Sequence, residues 1–458
     1  MKKTIIAVIL PVIALFLGLS LLTYLYLNRT PPALEIRVPD NDAPPEGMEK
    51  QAERPGVFTA GKGKASSDTA SWTGFLGNKR DNISPETNLK RSFGKDEPKV
   101  LWRVKTGEGY AGAVVLSGRV YFIDYDQEKK QDAIRCLSLD DGVEIWRYSY
   151  SVKIKRNHGM SRTTPAVNSN YLVTIGPMCQ TVCLNSLTGG LIWKKDLVKE
   201  FGTTVPPWYA GQCPLIDGGD VILAPGGRDI LMMRVGLSDG KIKWSVKNPG
   251  GYEMTHSSVM PVEFKGKKYF LYCASAGSVL VSADGAVQFT DPSWKINIAN
   301  VPSPIQVSAD MVLYTGGYDT GSKMIKLKEE NGKVGFDEVF KTNFRTFGSQ
   351  QATPSLFKGN VYGVIQAGNL VCMDLNGKVL WKSQKRFGLA PFVIASGMIY
   401  VVDDMQGFLY IVDAVPDGYK ELGSAKVFNG HEIWAPLAVA GGRLIGKDLT
   451  ELVCIKIN

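Results

Sequence analysis

From Val100 to the C-terminus, apolar and polar residues alternate in short runs separated by turns. Residues 356–364 (Leu-Phe-Lys-Gly-Asn-Val-Tyr-Gly-Val) and 392–402 (Phe-Val-Ile-Ala-Ser-Gly-Met-Ile-Tyr-Val-Val) show the style. Runs rich in Val, Ile and Tyr and broken by Gly or Asn predict hairpins. Long helical periodicity is absent beyond the N-terminus. The runs follow a beat set by seven turn glycines: Gly142, Gly189, Gly240, Gly285, Gly332, Gly377 and Gly418. These lie 47, 51, 45, 47, 45 and 41 residues apart. Four residues beyond each comes Trp146, Trp193, Trp244, Phe289, Phe336, Trp381 or Leu422. The residues before the glycines are mostly Asp or Asn, which suit the positive φ of tight turns.

A second marker keeps step. Pro165, Pro214, Pro261, Pro304, Pro354, Pro391 and Pro436 open apolar runs, and proline is tolerated where a strand begins. Four strands per unit of about 46 residues predicts a propeller blade. The last unit, 436–458, has only three strands, whereas Val100-Leu-Trp-Arg-Val104 is an aromatic outer strand with no blade before it. This strand is expected to complete the last blade and close a ring of eight, leaving no sheet edge open. The expected fold is therefore an all-β, eight-bladed propeller over residues 99–458, preceded by a short segment, 71–98. A composition of 44% hydrophobic residues with 49 glycines suits a turn-rich chain with a large core.

Residues 5–27 carry no charge and follow Lys2 and Lys3. A helix of that length spans a bilayer, and no small-x-small cleavage site follows it. The expectation is an uncleaved signal anchor in the inner membrane, with residues 1–4 cytoplasmic and the propeller in the periplasm. Residues 28–70, with six prolines between Pro31 and Pro55, read as a disordered tether. The net charge of +9 is scattered rather than clustered, and no nucleic-acid motif is present.

Seven cysteines outside the cytoplasm invite disulfides. Cys136, Cys183 and Cys372, however, precede their blade's glycine by five or six residues, and Cys454 holds the same strand of the last blade. One position repeated in different blades predicts core packing rather than bridging. Cys179 and Cys183, the only close pair, would need a turn between them to bridge.

The repeats Cys183-Leu-Asn-Ser-Leu-Thr-Gly-Gly-Leu-Ile-Trp193 and Cys372-Met-Asp-Leu-Asn-Gly-Lys-Val-Leu-Trp381 resemble those of the pyrroloquinoline-quinone-like (PQQ-like) propeller family. The resemblance covers 99–458, with weaker blades at 258–342 and 389–428, and Trp72-x-x-Phe-x-Gly-x-x-Arg80 is similar to the family's pre-propeller segment. It implies two alternatives. Quinoprotein dehydrogenases of the family hold quinone and Ca²⁺ over the channel, beneath an adjacent Cys-Cys disulfide. This chain has no such pair, no Cys-x-x-Cys-His haem site and no recognisable calcium ligands, so no cofactor is expected. The other branch is a cofactor-free periplasmic scaffold of outer-membrane protein assembly, with a lipidated cysteine where this chain has an apolar helix.

Candidate site residues come from the loops that lead onto the innermost strands. His158, His256 and His431 precede their blade's proline by seven, five and five residues, in the second, fourth and eighth blades. Gln350 and Gln351 stand at the sixth. Three corners of a square offer imidazole, but the rings would have to cross a wide funnel to meet a metal, so no metal is expected. Arg162, Trp208, Tyr252, Arg345 and Trp434 share the same face, and Trp and Arg are common interface anchors. Trp208 also reads as a residue packed between blades. Gly226-Gly227-Arg228 reads as a turn rather than a phosphate loop. The expected function is non-catalytic protein binding at the channel mouth. The alternatives are a quinone- or metal-dependent oxidoreductase and a polysaccharide or small-ligand binder.

Overall fold

Five of the seven turn glycines of the repeat, Gly142, Gly189, Gly240, Gly285 and Gly377, make room for an aromatic ring from the preceding blade. A Cβ on Gly142 would lie 2.8 Å from the Trp102 ring, one on Gly189 2.7 Å from Trp146, and one on Gly240 2.8 Å from Trp193. The indole N–H groups then donate to carbonyls of the same turns: Trp102 to Leu139, Trp146 to Leu187, Trp193 to Leu237 and Trp244 to Ala283. At these four joints glycine and tryptophan recur together because the turn of one blade caps the ring of its neighbour.

The computed structural model describes Gly18, Ser20 and residues 56–458 apart from Asp96. Contacts divide the chain into residues 1–49 and 50–458, and the propeller lies wholly in the second unit. Eight sheets cover 114–151, 166–196, 215–247, 260–291, 305–342, 355–386, 392–426 and 438–456. The strand Val100–Lys105 pairs antiparallel with Glu451–Lys456, Val100 facing Ile455 and Lys105 facing Glu451. The ring closes as the unpaired aromatic strand predicted. Behind this seam Lys447 is buried, its ammonium donating to the carbonyls of Gly107, Gly109, Asp448 and Leu449.

All seven cysteines are buried free thiols. Cys136, Cys183, Cys372 and Cys454 each face the outer-strand tryptophan of their own blade, namely Trp146, Trp193, Trp381 and Trp102. Cys213 has a different task. Along the channel wall the Thr164 N–H donates to Cys213 Sγ (3.1 Å) and the Cys213 N–H to Ser258 Oγ (3.0 Å). The Ser258 N–H donates to Ser303 Oγ (2.9 Å), and the Ser303 N–H to Thr353 Oγ1 (3.0 Å). This belt stitches blades two to six together at equivalent positions.

The weaker repeats are weaker joints. Gly332 has open space where a ring would dock, while Phe289 and Phe336 stack on each other with centroids 4.7 Å apart. Gly377 lies over Phe340 rather than Phe336.

The structure departs from the expected tether within residues 56–70. Val57–Ala60 adds a fifth strand to blade one, outside Glu144–Ser151. The Ser66 N–H then bonds the Gly118 carbonyl, and Asp68 pairs with Arg443 at 2.8 Å. Composition misleads here because an added strand is held by backbone hydrogen bonds and needs no apolar core: Val57 is 60% exposed. Residues 28–55 and the apolar run 5–27, apart from Gly18 and Ser20, lie outside the described residues. Among the described residues no helix is long and apolar enough to cross a membrane.

The pre-propeller segment fills the channel. Trp72 bridges to Val115 of blade one, and the Val167 N–H of blade two bonds the Thr73 carbonyl. Arg80 donates to the Pro214 carbonyl of blade three, while the Asn82 amide donates to Phe392 of blade seven, across the ring. Ile83–Ser84 then pairs parallel with Phe392–Ala395. Glu86 receives N–H bonds from Gly441 and Gly442, in the inner hairpin turn of blade eight. Both limbs of this loop meet the face carrying the inner hairpin turns, so it enters from there and points toward the opposite mouth.

Candidate functional site

At that mouth lies a funnel of about 250 Å³. Phe75, at the tip of the inserted loop, is part of its lining, so the funnel is blind. Seven of the ten residues that the sequence singled out line it: His158, Arg162, Trp208, His256, Gln350, Gln351 and Trp434. The inter-blade loops bring them together because each loop precedes an innermost strand and therefore faces the axis.

The wall is a chain of stacked groups. Trp434 and Tyr110 lie with ring centroids 4.8 Å apart, and the Arg162 guanidinium sits 4.9 Å over the Tyr110 ring. Arg162 Nε donates to the Trp208 carbonyl, and Trp208 lies 6.4 Å from His256. The indole of Trp434 is pinned by Asp404 (2.9 Å) and the hydroxyl of Tyr110 by Glu432 (2.5 Å). The loop that carries Trp208 follows a short helix, Leu197–Phe201, that the sequence reading did not foresee. Asp196 caps its start by accepting from the Lys199 N–H, and Gly202 ends it at φ 70°.

Burial sets the charge state of this wall. Burial lowers the Arg162 pKa to about 10, which leaves the group cationic at neutral pH. Burial, and then the charge of Arg162, push His256 down to about 3, so its imidazole is neutral. Its Nε2 is buried without a hydrogen-bond partner. Below Phe75, the guanidinium of Arg80 lies 5.5 Å over that ring. Arg80 Nε and Nη2 are also without partners, and burial lowers its pKa to about 10.

Three expected site residues lie elsewhere. Tyr252 packs against the apolar cluster between blades three and four, with its backbone bonded to the Asn248 side chain. Arg345 is exposed and covers Phe344. His431 is exposed and off the funnel wall, so the three imidazoles do not converge. Among the described residues no group of three or more His, Cys, Asp or Glu side chains is placed to hold a metal. Calcium takes six to eight oxygen ligands, usually with carboxylates among them. The funnel lining contains no carboxylate, so this wall does not fit a calcium-held quinone. Tyr110, Tyr318 and Phe75 also line the funnel and were missed by sequence reasoning. Only Phe75 carried a signal, as the aromatic of the Trp72-to-Arg80 motif.

Eight blades, four of their joints made by a glycine over a tryptophan, around a channel entered by the pre-propeller loop, define a quinoprotein-like propeller. A family model described as outer membrane protein assembly factor BamB matches residues 129–416, and the chain belongs to that family. The factor of that name from Moranella endobia is 20% identical over 72% of this chain and 73% of its own length. The one from Shewanella oneidensis is 22% identical over 64% of this chain and 69% of its own. Among solved structures, BamB from Moraxella catarrhalis covers 79% of this chain and 100% of its own, with a TM-score of 0.55 and 12% identity. The quinohemoprotein alcohol dehydrogenase from Comamonas testosteroni covers 84% of this chain and 80% of its own, with a TM-score of 0.62 and 13% identity. At such identities these structures speak for the fold alone.

Proposed function

We propose that this chain is a non-catalytic scaffold that grips a protein partner through the loops around its channel mouth, in the service of outer-membrane protein assembly. The observation that carries this reading is the funnel wall, where Trp208, Trp434, Tyr110 and Arg162 stand together over a closed floor. Aromatic and arginine side chains gathered in a pocket are the usual anchors of protein interfaces. The names of the relatives supply the process. In this reading residues 5–27 tether the propeller to the inner membrane, and the mouth works in the periplasm.

A photo-crosslinking residue placed at Trp208, and separately at Gly219, tests the face. Gly219 lies in an inner hairpin turn on the opposite face, with nothing within 4 Å of an added Cβ. The expected adducts contain outer-membrane assembly proteins and form only from position 208. Equal adducts from both positions, or none, would overturn the reading. For the tether, retention in inner-membrane vesicles after alkaline extraction is expected. Release, or sedimentation with the outer membrane, would remove that part.

A further inference from the structure

The funnel also has an unanswered charge. We propose that it is a receptor for a carboxylate carried on a flat apolar body, with Arg162 as the donor and the aromatic wall as the clamp.

Three other part- or fully buried arginines of the propeller are paired with acids, whereas Arg119 donates to the Ser117 carbonyl. Arg135 meets Asp124 and Glu144, Arg234 meets Asp217 and Asp220, and Arg443 meets Asp68 and Asp140. Arg162 instead donates to two carbonyls, those of Trp208 and Asn157. Arg80 donates to one, that of Pro214. Carbonyl dipoles compensate a buried cation only in part, whereas a carboxylate can accept two parallel guanidinium bonds. Acids do stand near the mouth, but they are engaged: Glu432 with Tyr110, Asp404 with Trp434, and Glu108 with Arg156. The funnel itself is lined by Arg162, two histidines, two glutamines and no acid; Glu432 acts on Arg162 through its field but makes no hydrogen bond to it, so the guanidinium keeps room for an anion.

The rest of the wall sets the shape of the guest. Phe75 closes the floor, the Tyr110 ring faces the Arg162 guanidinium with Trp434 against its own ring, and the Trp208 carbonyl accepts from Arg162. A volume of about 250 Å³ admits a group the size of one aromatic ring with its acid arm. The unpartnered His256 Nε2 adds one polar contact at the wall without adding charge. The same chemistry is available from a free aromatic acid and from a glutamate flanked by aromatics on a partner protein. The inference stands on the funnel alone and does not require the partner to be an assembly protein.

Tryptophan fluorescence and calorimetry on the folded propeller can test it with three probes: phenylacetate, the blocked peptide acetyl-Phe-Glu-Phe-amide, and neutral phenylacetamide. At least one acid is expected to bind, and phenylacetamide at least about tenfold more weakly, as loss of a charge-assisted bond implies. Arg162→Gln is expected to abolish that preference. Phenylacetate as the better ligand would identify a small-molecule source, and the peptide as the better ligand a protein source. Equal binding of phenylacetamide, or no binding by either acid at 10 mM (about −2.7 kcal/mol), would overturn the proposal. The acid-against-amide comparison uses the unmodified protein, so it decides the matter even if Arg162→Gln does not fold. Crosslinking at Trp208 can fail while phenylacetate binds, which separates this inference from the scaffold reading.

Discussion

Trp102 lies beneath Gly142, although the two belong to blades eight and one and the ring closes between them. A Cβ on Gly142 would come within 2.8 Å of the indole, and the indole N–H already bonds the Leu139 carbonyl at 3.0 Å. The glycine also sits at φ 70°, a conformation that side chains resist.

Gly142→Val is therefore expected to destabilise the propeller by about 2–4 kcal/mol, through strain and displacement of the ring. Trp102→Ala should cost about 3–5 kcal/mol through the cavity it leaves. Gly332→Val, in the same turn position but with no ring beneath it, should cost less than Gly142→Val. Urea denaturation of the three variants provides the ranking, and equal midpoints for the two glycine variants would contradict the docking account.

Two buried groups should tilt stability with pH in opposite directions. Asp132 is buried, and burial raises its pKa to about 7, against a smaller lowering by the Tyr150 hydroxyl. Its folded form holds the proton more tightly than the unfolded chain does. Its contribution is therefore full below about pH 4 and is lost as pH rises through 7. His256, lowered to about 3, behaves in the reverse sense: stability present above about pH 6.5 is lost as pH falls toward 3. At about 1.4 kcal/mol per pKa unit, each effect amounts to a few kcal/mol. Asp132→Asn should flatten the loss between pH 4 and 7, and His256→Gln the loss between pH 6 and 4. Thermal midpoints across that range would show it.

The thiols should stay silent until the fold opens. Burial pushes Cys372 up to about 11 and Cys179, Cys183 and Cys454 to about 12, and the reactive form is the thiolate. Labelling with a maleimide at pH 7 is expected to leave the native chain unmodified and to reach all seven cysteines in guanidinium. A native chain that labels at one site would locate a local opening.

Pyrroloquinoline quinone with Ca²⁺ is expected to leave the thermal midpoint unchanged. A ligand held only by the folded state adds about 2.7 kcal/mol at a hundredfold excess over its dissociation constant. A shift of that size, with bound chromophore, would reopen the oxidoreductase reading.

The docking pair explains how much could be read from the chain in advance. A glycine that must admit a ring, and the ring itself, recur at a fixed interval, so eight blades and the closing strand were legible. Where the pair degrades, at Phe289 and Gly332, the repeat faded as well. The funnel was partly legible because loop position fixed which residues face the axis, and this placed Trp208, His256 and Trp434. It could not say how far along a loop the axis lies, which is why Tyr252 turned into the core and His431 out to solvent. The loop in the channel occurs once, and a segment that does not repeat leaves no period to read. Val57–Ala60 was hidden for another reason, since backbone pairing leaves little trace in side chains.

The closing seam also has a place in time. Val100 and Ile455 are partners although about 350 residues separate them. A chain made from its N-terminus at roughly 5–20 residues per second offers the strand 100–105 no partner for tens of seconds. Until residues 451–456 emerge, Trp102 lacks its cysteine, Cys454, and an apolar strand stands with its hydrogen-bonding edge open. The first strand of the ring to be made is among the last to be paired, so protection of that edge falls to something other than the propeller itself.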